Sequence, residues 1–326
     1  MANFGYTLMC EQAGPTQMVD DAIKAEGVGF DFAVISDHYY PWLGEQGHSP
    51  YAWSVLGAVA YATQNLELMT MVTCPIRRYH PAVVAQKAAT IGVMSQGRFT
   101  LGLGAGENLN EHVVGAWPHV RQRHEMLAEA LEIIQPLLAG ETLSHSGTYY
   151  EVPDARLWDR PDDGVPIAVA VSGPGSGELA GEFADAMVAV QPLPALVQHF
   201  NSAGGSGKPR YGQLAVCYGP DESDCRKRAF ELHRWLGLGW PVLAELPNPV
   251  SIARASAFVR EEDVASRVPC GPRLDGYVEG VRKFLDAGFT DVALLQIGPE
   301  HQGDFLDFSE RELLPALASL EGGLPS

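Results

Sequence analysis

The sequence predicts an α/β chain folded as one (β/α)8 TIM barrel, and three observations carry that expectation. Strand-length apolar runs alternate with helix-length segments eight times along 326 residues, the count that such a barrel needs. No linker divides the chain, and a doubly wound sheet would rarely hold eight units in so regular a spacing. The residues just after the strands are rich in acids, glycine, imidazole and aromatic groups, and a barrel keeps its chemistry at those ends. Residues 1–326 therefore read as a single barrel domain with insertion segments.

Residues 3–8 form the first strand. Pro15 opens a helix to residue 25 with Met18, Ala22, Ile23 and Ala25 apolar, and Gly27 and Gly29 end it. The second strand, 32–36, leads into a loop to Tyr51 and a helix over 53–62. The third strand, 66–73, is followed by a helix over 82–94, and the fourth, 99–105, by a long helix over about 120–138. Residues 142–152 alternate as a surface hairpin does. The fifth strand, 166–171, enters Ser172-Gly173-Pro174-Gly175-Ser176-Gly177 and a helix. The sixth, 186–190, precedes a helix from about 195, and the seventh, 212–218, a helix over 222–236. Residues 237–274 are rich in Pro and Gly, read as irregular, and are too long for an ordinary connection, which marks an insertion or lid. A helix over 277–287, the eighth strand at 292–297 and a helix over 305–320 close the chain.

Acidic residues outnumber basic ones, 40 against 22, for a net charge of −18. The acidity is dispersed, which disfavours nucleic acid and anionic lipid as partners. The apolar runs are too short for a membrane span. Cys10, Cys74, Cys217, Cys225 and Cys270 are scattered, odd in number and form no C-x-x-C pair, so they read as thiols in a reducing compartment. With no signal-peptide pattern at the N-terminus, the expected location is the cytoplasm.

The densest chemistry follows the second strand: Ser36-Asp37-His38-Tyr39-Tyr40-Pro41-Trp42. Taken alone, Asp-His after a strand can simply cap a helix or turn the chain. The other strand ends change the balance. The first leads to Glu11, the third to Thr73-Cys74-Pro75, the fourth to Gly104-Ala105-Gly106-Glu107-Asn108-Leu109-Asn110-Glu111, and the fifth to the 172–177 run. Polar groups converging at one rim favour a site. Gly102, Gly104 and Gly106 match neither the dinucleotide fingerprint nor a phosphate-binding P-loop. Alternating glycines can let a flat ring lie on bare backbone, or can serve a tight strand turn. The 172–177 run can offer backbone N–H groups to a phosphate, or be an ordinary helix start. No H-x-x-x-H, H-E-x-x-H or G-x-S-x-G motif occurs, so neither a metal site nor a serine nucleophile is expected. The inventory suits proton transfer beside a bound ring cofactor.

Longer matches then identify a family. Phe4-Gly5-Tyr6…Glu11-Gln12, Ser36-Asp37-His38…Pro41-Trp42, Pro75…Arg78-Tyr79-His80-Pro81-Ala82-Val83-Val84-Ala85-Gln86 and Gly102-x-Gly104-x-Gly106-Glu107-x-Leu109-Asn110-Glu111 resemble the luciferase-like oxidoreductases that use the deazaflavin coenzyme F420. The closest branch is similar to the F420-dependent glucose-6-phosphate dehydrogenases. The resemblance implies hydride transfer between C5 of the deazaflavin and a small organic substrate: oxidation of an alcohol or hemiacetal, or reduction of a carbonyl, imine or alkene. It implies His38 as the base for the hydroxyl proton, Glu107 handling the proton at ring N1, Trp42 at the reacting centre and Glu11 close to substrate. Asp37 would bind the ring system, and Gly106 would belong to the same coenzyme site. Met71-Val72-Thr73 would supply a bulge behind the ring, often with a non-proline cis peptide. Ser172 and Gly173 would face the coenzyme phosphate, and Asn110 its side chain or ring. Family members are commonly homodimers.

Two departures bear on the substrate. The sugar-phosphate enzymes carry a lysine just after the sixth strand, where this chain has Gln191-Pro192-Leu193-Pro194-Ala195, and a second lysine where it has Ser266 beside Arg267. Glucose 6-phosphate is therefore not the expected substrate, with Arg267, Arg273 and Lys208 left as replacement anchors. Trp235, Trp240, Leu246, Pro247 and Phe258 either line an apolar substrate pocket or pack under a loop. The competing readings are an FMN-dependent luciferase-like monooxygenase, a sugar-phosphate dehydrogenase with replaced anchors, and a non-catalytic deazaflavin carrier.

Overall fold

A computed structural model describes residues 2–320. The strands in chain order are β1 (Asn3–Leu8), β2 (Phe32–Ile35), β3 (Glu67–Thr70), β4 (Phe99–Leu103), β5 (Leu143–Ser146), β6 (Glu151–Ala155), β7 (Ile167–Ala170), β8 (Ala186–Ala189), β9 (Arg210–Val216) and β10 (Asp291–Gln296). Eight of them close a parallel barrel in the order β1-β2-β3-β4-β7-β8-β9-β10, and β10 returns to β1. β5 and β6 form the separate antiparallel hairpin that alternation predicts. Strands such as Phe-Ala-Val-Ile in β2 are buried on both faces, as helices outside and side chains inside require. Phe32, Val34, Met69, Ala168, Ala186, Val188 and Ala293 fill the barrel interior. Gly5 makes room for this filling, because a Cβ there would lie 2.3 Å from the Phe32 ring.

The structure moves several predicted boundaries. The first helix runs Pro15–Val28, straight through Gly27, and only Gly29, at φ 99°, turns the chain out of it. β3 stops at Thr70, and the next peptide bond but one, Met71–Val72, is cis. The last helix is broken: Gln302–Phe308, a wide π turn over Ser309–Leu313, then Leu314–Ala318. Pro315 has no N–H to continue a regular ladder there.

The stretch over 237–274 is not irregular. It folds into short helices, Trp240–Leu243, Pro249–Ala255 and Glu261–Ala265. Pro241 and Pro249, which read as breakers, sit in first turns, where the missing N–H costs nothing. Asn248 caps the second of these helices by accepting the Ser251 N–H at 2.9 Å. Together with the helix Glu222–His233, they roof the C-terminal end of the barrel. Met9, Trp42, Leu43 and Leu109 from the strand ends pack there against Leu243, Ile252, Val264 and Val268. Glu245 latches the roof to the loop after β4. Its carboxylate accepts from Trp117 Nε1 at 2.7 Å and Arg123 Nη2 at 3.0 Å, and its carbonyl accepts from Asn108 Nδ2 at 2.9 Å.

Candidate active site

Beneath this roof, β1 ends in Glu11 and β2 in Ser36-Asp37-His38, and the two strand ends assemble a linked pair. Glu11 is 1% exposed and His38 8%. Glu11 Oε1 lies 2.9 Å from His38 Nδ1, and Glu11 Oε2 accepts from the Ser36 hydroxyl at 2.6 Å. Ser36 Oγ in turn accepts the Cys10 N–H at 3.0 Å, so the carboxylate is aimed from both sides. Burial works against a charged imidazole, but the Glu11 carboxylate, and behind it Glu107, outweigh burial and push His38 up to about 9. Burial likewise works against the Glu11 carboxylate, and His38 and Ser36 hold it below its usual range. With Nδ1 committed to Glu11, Nε2 is the nitrogen left to exchange a proton with a ligand.

Trp42 is buried, with its ring 4.8 Å edge-on from the His38 ring. On its other side it stacks on Trp235 from the roof, at 4.6 Å and 20°. Trp235 thus packs against Trp42, from the roof. Phe258 is 94% exposed.

Asp37, expected to bind the ring system, is itself held by the protein. Its carboxylate is occupied by protein donors: Thr73 Oγ1 at 2.7 Å, Trp53 Nε1 at 3.1 Å, Arg78 Nη2 at 3.0 Å and Tyr79 OH at 3.2 Å. It therefore ties the ends of β2 and β3 together and leaves no oxygen free of a protein donor. Arg78 reaches further, giving its backbone N–H to Glu111 Oε2 at 2.7 Å. Burial, with Glu107 and Asp37 adding to it, raises Glu111 to about 7 despite Arg78. Lys87 lies 3.2 Å from the centre of the Tyr79 ring, and burial brings it down to about 8.

Asn110 is likewise held by the protein. Its amide oxygen accepts the Tyr39 N–H at 2.8 Å and its nitrogen donates to Glu107 Oε2 at 3.2 Å, so it holds Glu107 to the β2 loop. Glu107 is half-buried at the rim and acts on His38 electrostatically.

The glycines after β4 are not an open floor. A Cβ on Gly102 would lie 1.8 Å from Thr70 O, and one on Gly104 2.7 Å from Val72 Cγ2. A Cβ on Gly106, at φ 76°, would lie 2.5 Å from Cys74 Sγ. All three let the end of β3 press against β4, so the space is filled by protein. Half-buried Met71 and Val72 then border the barrel mouth, with Thr73 fully buried behind them.

At the helix start after β7, Ser172 and Gly173 give their N–H groups to Ser176 Oγ, at 3.0 and 3.2 Å. Pro174 has none, so the first-turn donors are those of Gly175 and Ser176. A Cβ on Gly173 would meet nothing within 4 Å, so the space before this helix is open. A half-apolar rim with backbone donors at one end fits a flat ring bearing a phosphate arm. Among the described residues, no group of His, Cys, Asp and Glu could hold a metal ion. No helix described is long and apolar enough to cross a membrane.

The positions suggested as substitute phosphate anchors do not converge on the site. Lys208 caps carbonyls of Gly181 and Ala184, at 3.3 and 2.7 Å, on the opposite side of the barrel from the strand ends. Arg273 is exposed beside Asp275, and Arg267 is exposed with one guanidinium nitrogen on Leu236 O at 3.1 Å.

Sequence reasoning passed over His233, which the roof helix buries completely. A signal was present. Cys225, Ala229 and His233 are the buried residues of that helix and recur every four positions, so the histidine sits in the inward stripe.

Comparison with known proteins gives a consistent picture. The luciferase-like monooxygenase family profile matches residues 3–290. An F420-dependent glucose-6-phosphate dehydrogenase of Microbacterium testaceum is 35% identical, covering 96% of this chain and 97% of that protein. The enzyme of the same description from Nakamurella multipartita is 36% identical over 98% of this chain and 97% of its own length. Among solved structures, an F420-dependent secondary alcohol dehydrogenase in complex with an F420-acetone adduct superposes with a TM-score of 0.88 at 28% identity, covering 97% of this chain and 99% of that one.

Proposed function

Because the chain belongs to the luciferase-like monooxygenase family, we propose that it is an F420-dependent dehydrogenase or reductase acting on a small organic substrate without a phosphate group. F420, when bound, supplies a two-electron carrier that accepts or returns a hydride at carbon. The observation that carries the reading is the buried Glu11–His38 pair under the Trp42 wall. It is a proton-handling device at a rim that suits a ring cofactor.

His38 Nε2 holds or takes the proton of the substrate oxygen, and Glu11 fixes the ring and favours its charged form. Glu107, held by Asn110, faces the polar edge of the cofactor ring and handles the proton there. Met71 and Val72 take the apolar face of the ring, and the Gly175 and Ser176 N–H groups, bordered by Ser172 and Gly173, take the phosphate. Trp42 and Trp235 wall the substrate side and exclude water. Asp37, Thr73 and Gly106 act behind this surface, by fixing the strand ends that carry it.

Arg78, the buried guanidinium beside the site, is bound to Asp37 and Glu111, and Lys208, Arg267 and Arg273 do not converge on the site, so a phosphorylated sugar lacks the expected anchors. The relatives named for glucose 6-phosphate argue for that sugar, and the altered positions argue against it. The roof over 237–274 acts as the lid of the site. Four fully buried thiols suit a cytoplasmic location. Exposed Tyr61, Val93 and Met94 on two neighbouring barrel helices suit a homodimer.

The test is to titrate the purified protein with F420, FMN and FAD while following tryptophan fluorescence. Quenching by F420 at micromolar levels or below is expected. Tight FMN binding without F420 binding would sink the proposal in favour of a flavin monooxygenase.

A further inference from the structure

Three polar nitrogens under the roof have no hydrogen-bond partner: His233 Nδ1, His233 Nε2 and Trp235 Nε1. All three are buried, and His233 is 0% exposed. Leaving such groups unpaired is costly, so proteins seldom keep a cluster of them without use. The cluster lies next to the site. The two rings are 5.3 Å apart, Trp235 stacks on Trp42, and Trp42 meets His38 edge-on. The Glu11 charge also acts on His233, although burial dominates and brings the imidazole down to about 3, which makes it neutral.

The chemistry of the three atoms selects their partner. A neutral imidazole offers one donor and one acceptor, and an indole offers one donor. A carboxylate or phosphate can only accept, which would leave the imidazole acceptor empty and bring an anion towards Glu11. An ammonium can only donate and would leave both N–H groups empty. A hydroxyl group both donates and accepts, and so matches the set.

We propose that His233 and Trp235 form a second recognition point of the active site, one that binds an uncharged hydroxyl group of the substrate other than the group that reacts. The substrate class is then neutral and multiply hydroxylated: vicinal diols, hydroxyketones and non-phosphorylated sugars or polyols. This rests on the F420-dependent reading above and narrows it.

The experiment compares secondary alcohols with vicinal diols of the same carbon skeleton, using F420-loaded enzyme. The wild type is expected to favour the diol in kcat/KM by about tenfold or more, because a site built around a hydroxyl rejects the analogue lacking it. In His233→Phe this ratio falls towards one, mainly through KM, whereas His233→Gln, which keeps a donor and an acceptor, retains most of it. Nitrogen NMR of labelled histidine gives a readout apart from turnover: the His233 signals shift on adding diol and not on adding the simple alcohol. Trp235→Phe, expected to lower the ratio in part, serves if the His233 variant does not fold, as judged by loss of F420 quenching. Turnover of simple alcohols by the wild type without diol preference overturns this inference alone, as does a preference that survives in His233→Phe. Failure of F420 to bind overturns the proposed function and this inference with it.

Discussion

His38 Nδ1 and Glu11 Oε1 face each other at 2.9 Å, with both side chains almost wholly out of water. The carboxylate decides the protonation state of the imidazole. Neutral pH lies well below its pKa of about 9, so His38 is mostly charged there.

The direction of the pH dependence follows from that. Oxidation needs the neutral imidazole, so kcat/KM for an alcohol is expected to rise about tenfold per pH unit and level off near 9. Reduction needs the proton, so it should be flat below that point and fall above it. In Glu11→Gln, burial is opposed only by Glu107, and the inflection moves down. Stopped-flow or steady-state profiles in both directions check this, and an unmoved inflection in Glu11→Gln removes Glu11 from the pair's control.

His38→Ala and Glu107→Gln are each expected to lower kcat by about 10²–10⁴ while F420 still quenches tryptophan fluorescence. Single-turnover absorbance of F420 separates the chemical step from release. Near-wild-type rates in both variants would contradict the assigned roles.

Asp37 is expected to matter for stability first. Asp37→Ala leaves Arg78 buried beside only Glu111 and frees the donors of Thr73, Trp53 and Tyr79. The expected loss is about 3–5 kcal/mol, seen in urea unfolding without any cofactor. A wild-type midpoint combined with lost F420 binding would instead favour a direct contact with the ring.

Gly102→Ala should destabilise the cofactor-free protein more than Gly104→Ala does. The first meets a backbone oxygen at 1.8 Å, whereas the second meets a side-chain methyl at 2.7 Å. A cost of about 1–3 kcal/mol is expected for Gly104→Ala, and more for Gly102→Ala. Equal stabilities with weakened F420 binding would restore the open-floor reading of these glycines.

Much of the architecture is legible in the chain because strand and helix periods alternate without interruption, and β1, β2, β8 and β10 each fall within two residues of expectation. What escaped has physical reasons. Pro241 and Pro249 look like breakers, yet a proline in a first turn starts a helix. A glycine does not reveal what fills the place of its missing Cβ, so Gly102 and Gly104 left a ligand and a tight turn both open where Thr70 and Val72 lie. The donors on Asp37 come from Trp53, Thr73, Arg78 and Tyr79, which local spacing cannot bring together. Ser36, Glu11 and His38 assemble because neighbouring strand ends lie side by side, which the barrel order itself implies.

The Glu245 latch has a bearing on traffic through the roof. Its carboxylate is half exposed, with Glu245 at 52% and Arg123 at 5%, so it stands at the water's edge. Dissolved ions reach such a pair and weaken it, whereas the Glu11–His38 pair lies beyond their reach. Ionic strength is therefore expected to change the rates of entry and release while leaving proton transfer as it is. Added salt then becomes a way to time the opening of the molecule separately from its chemistry.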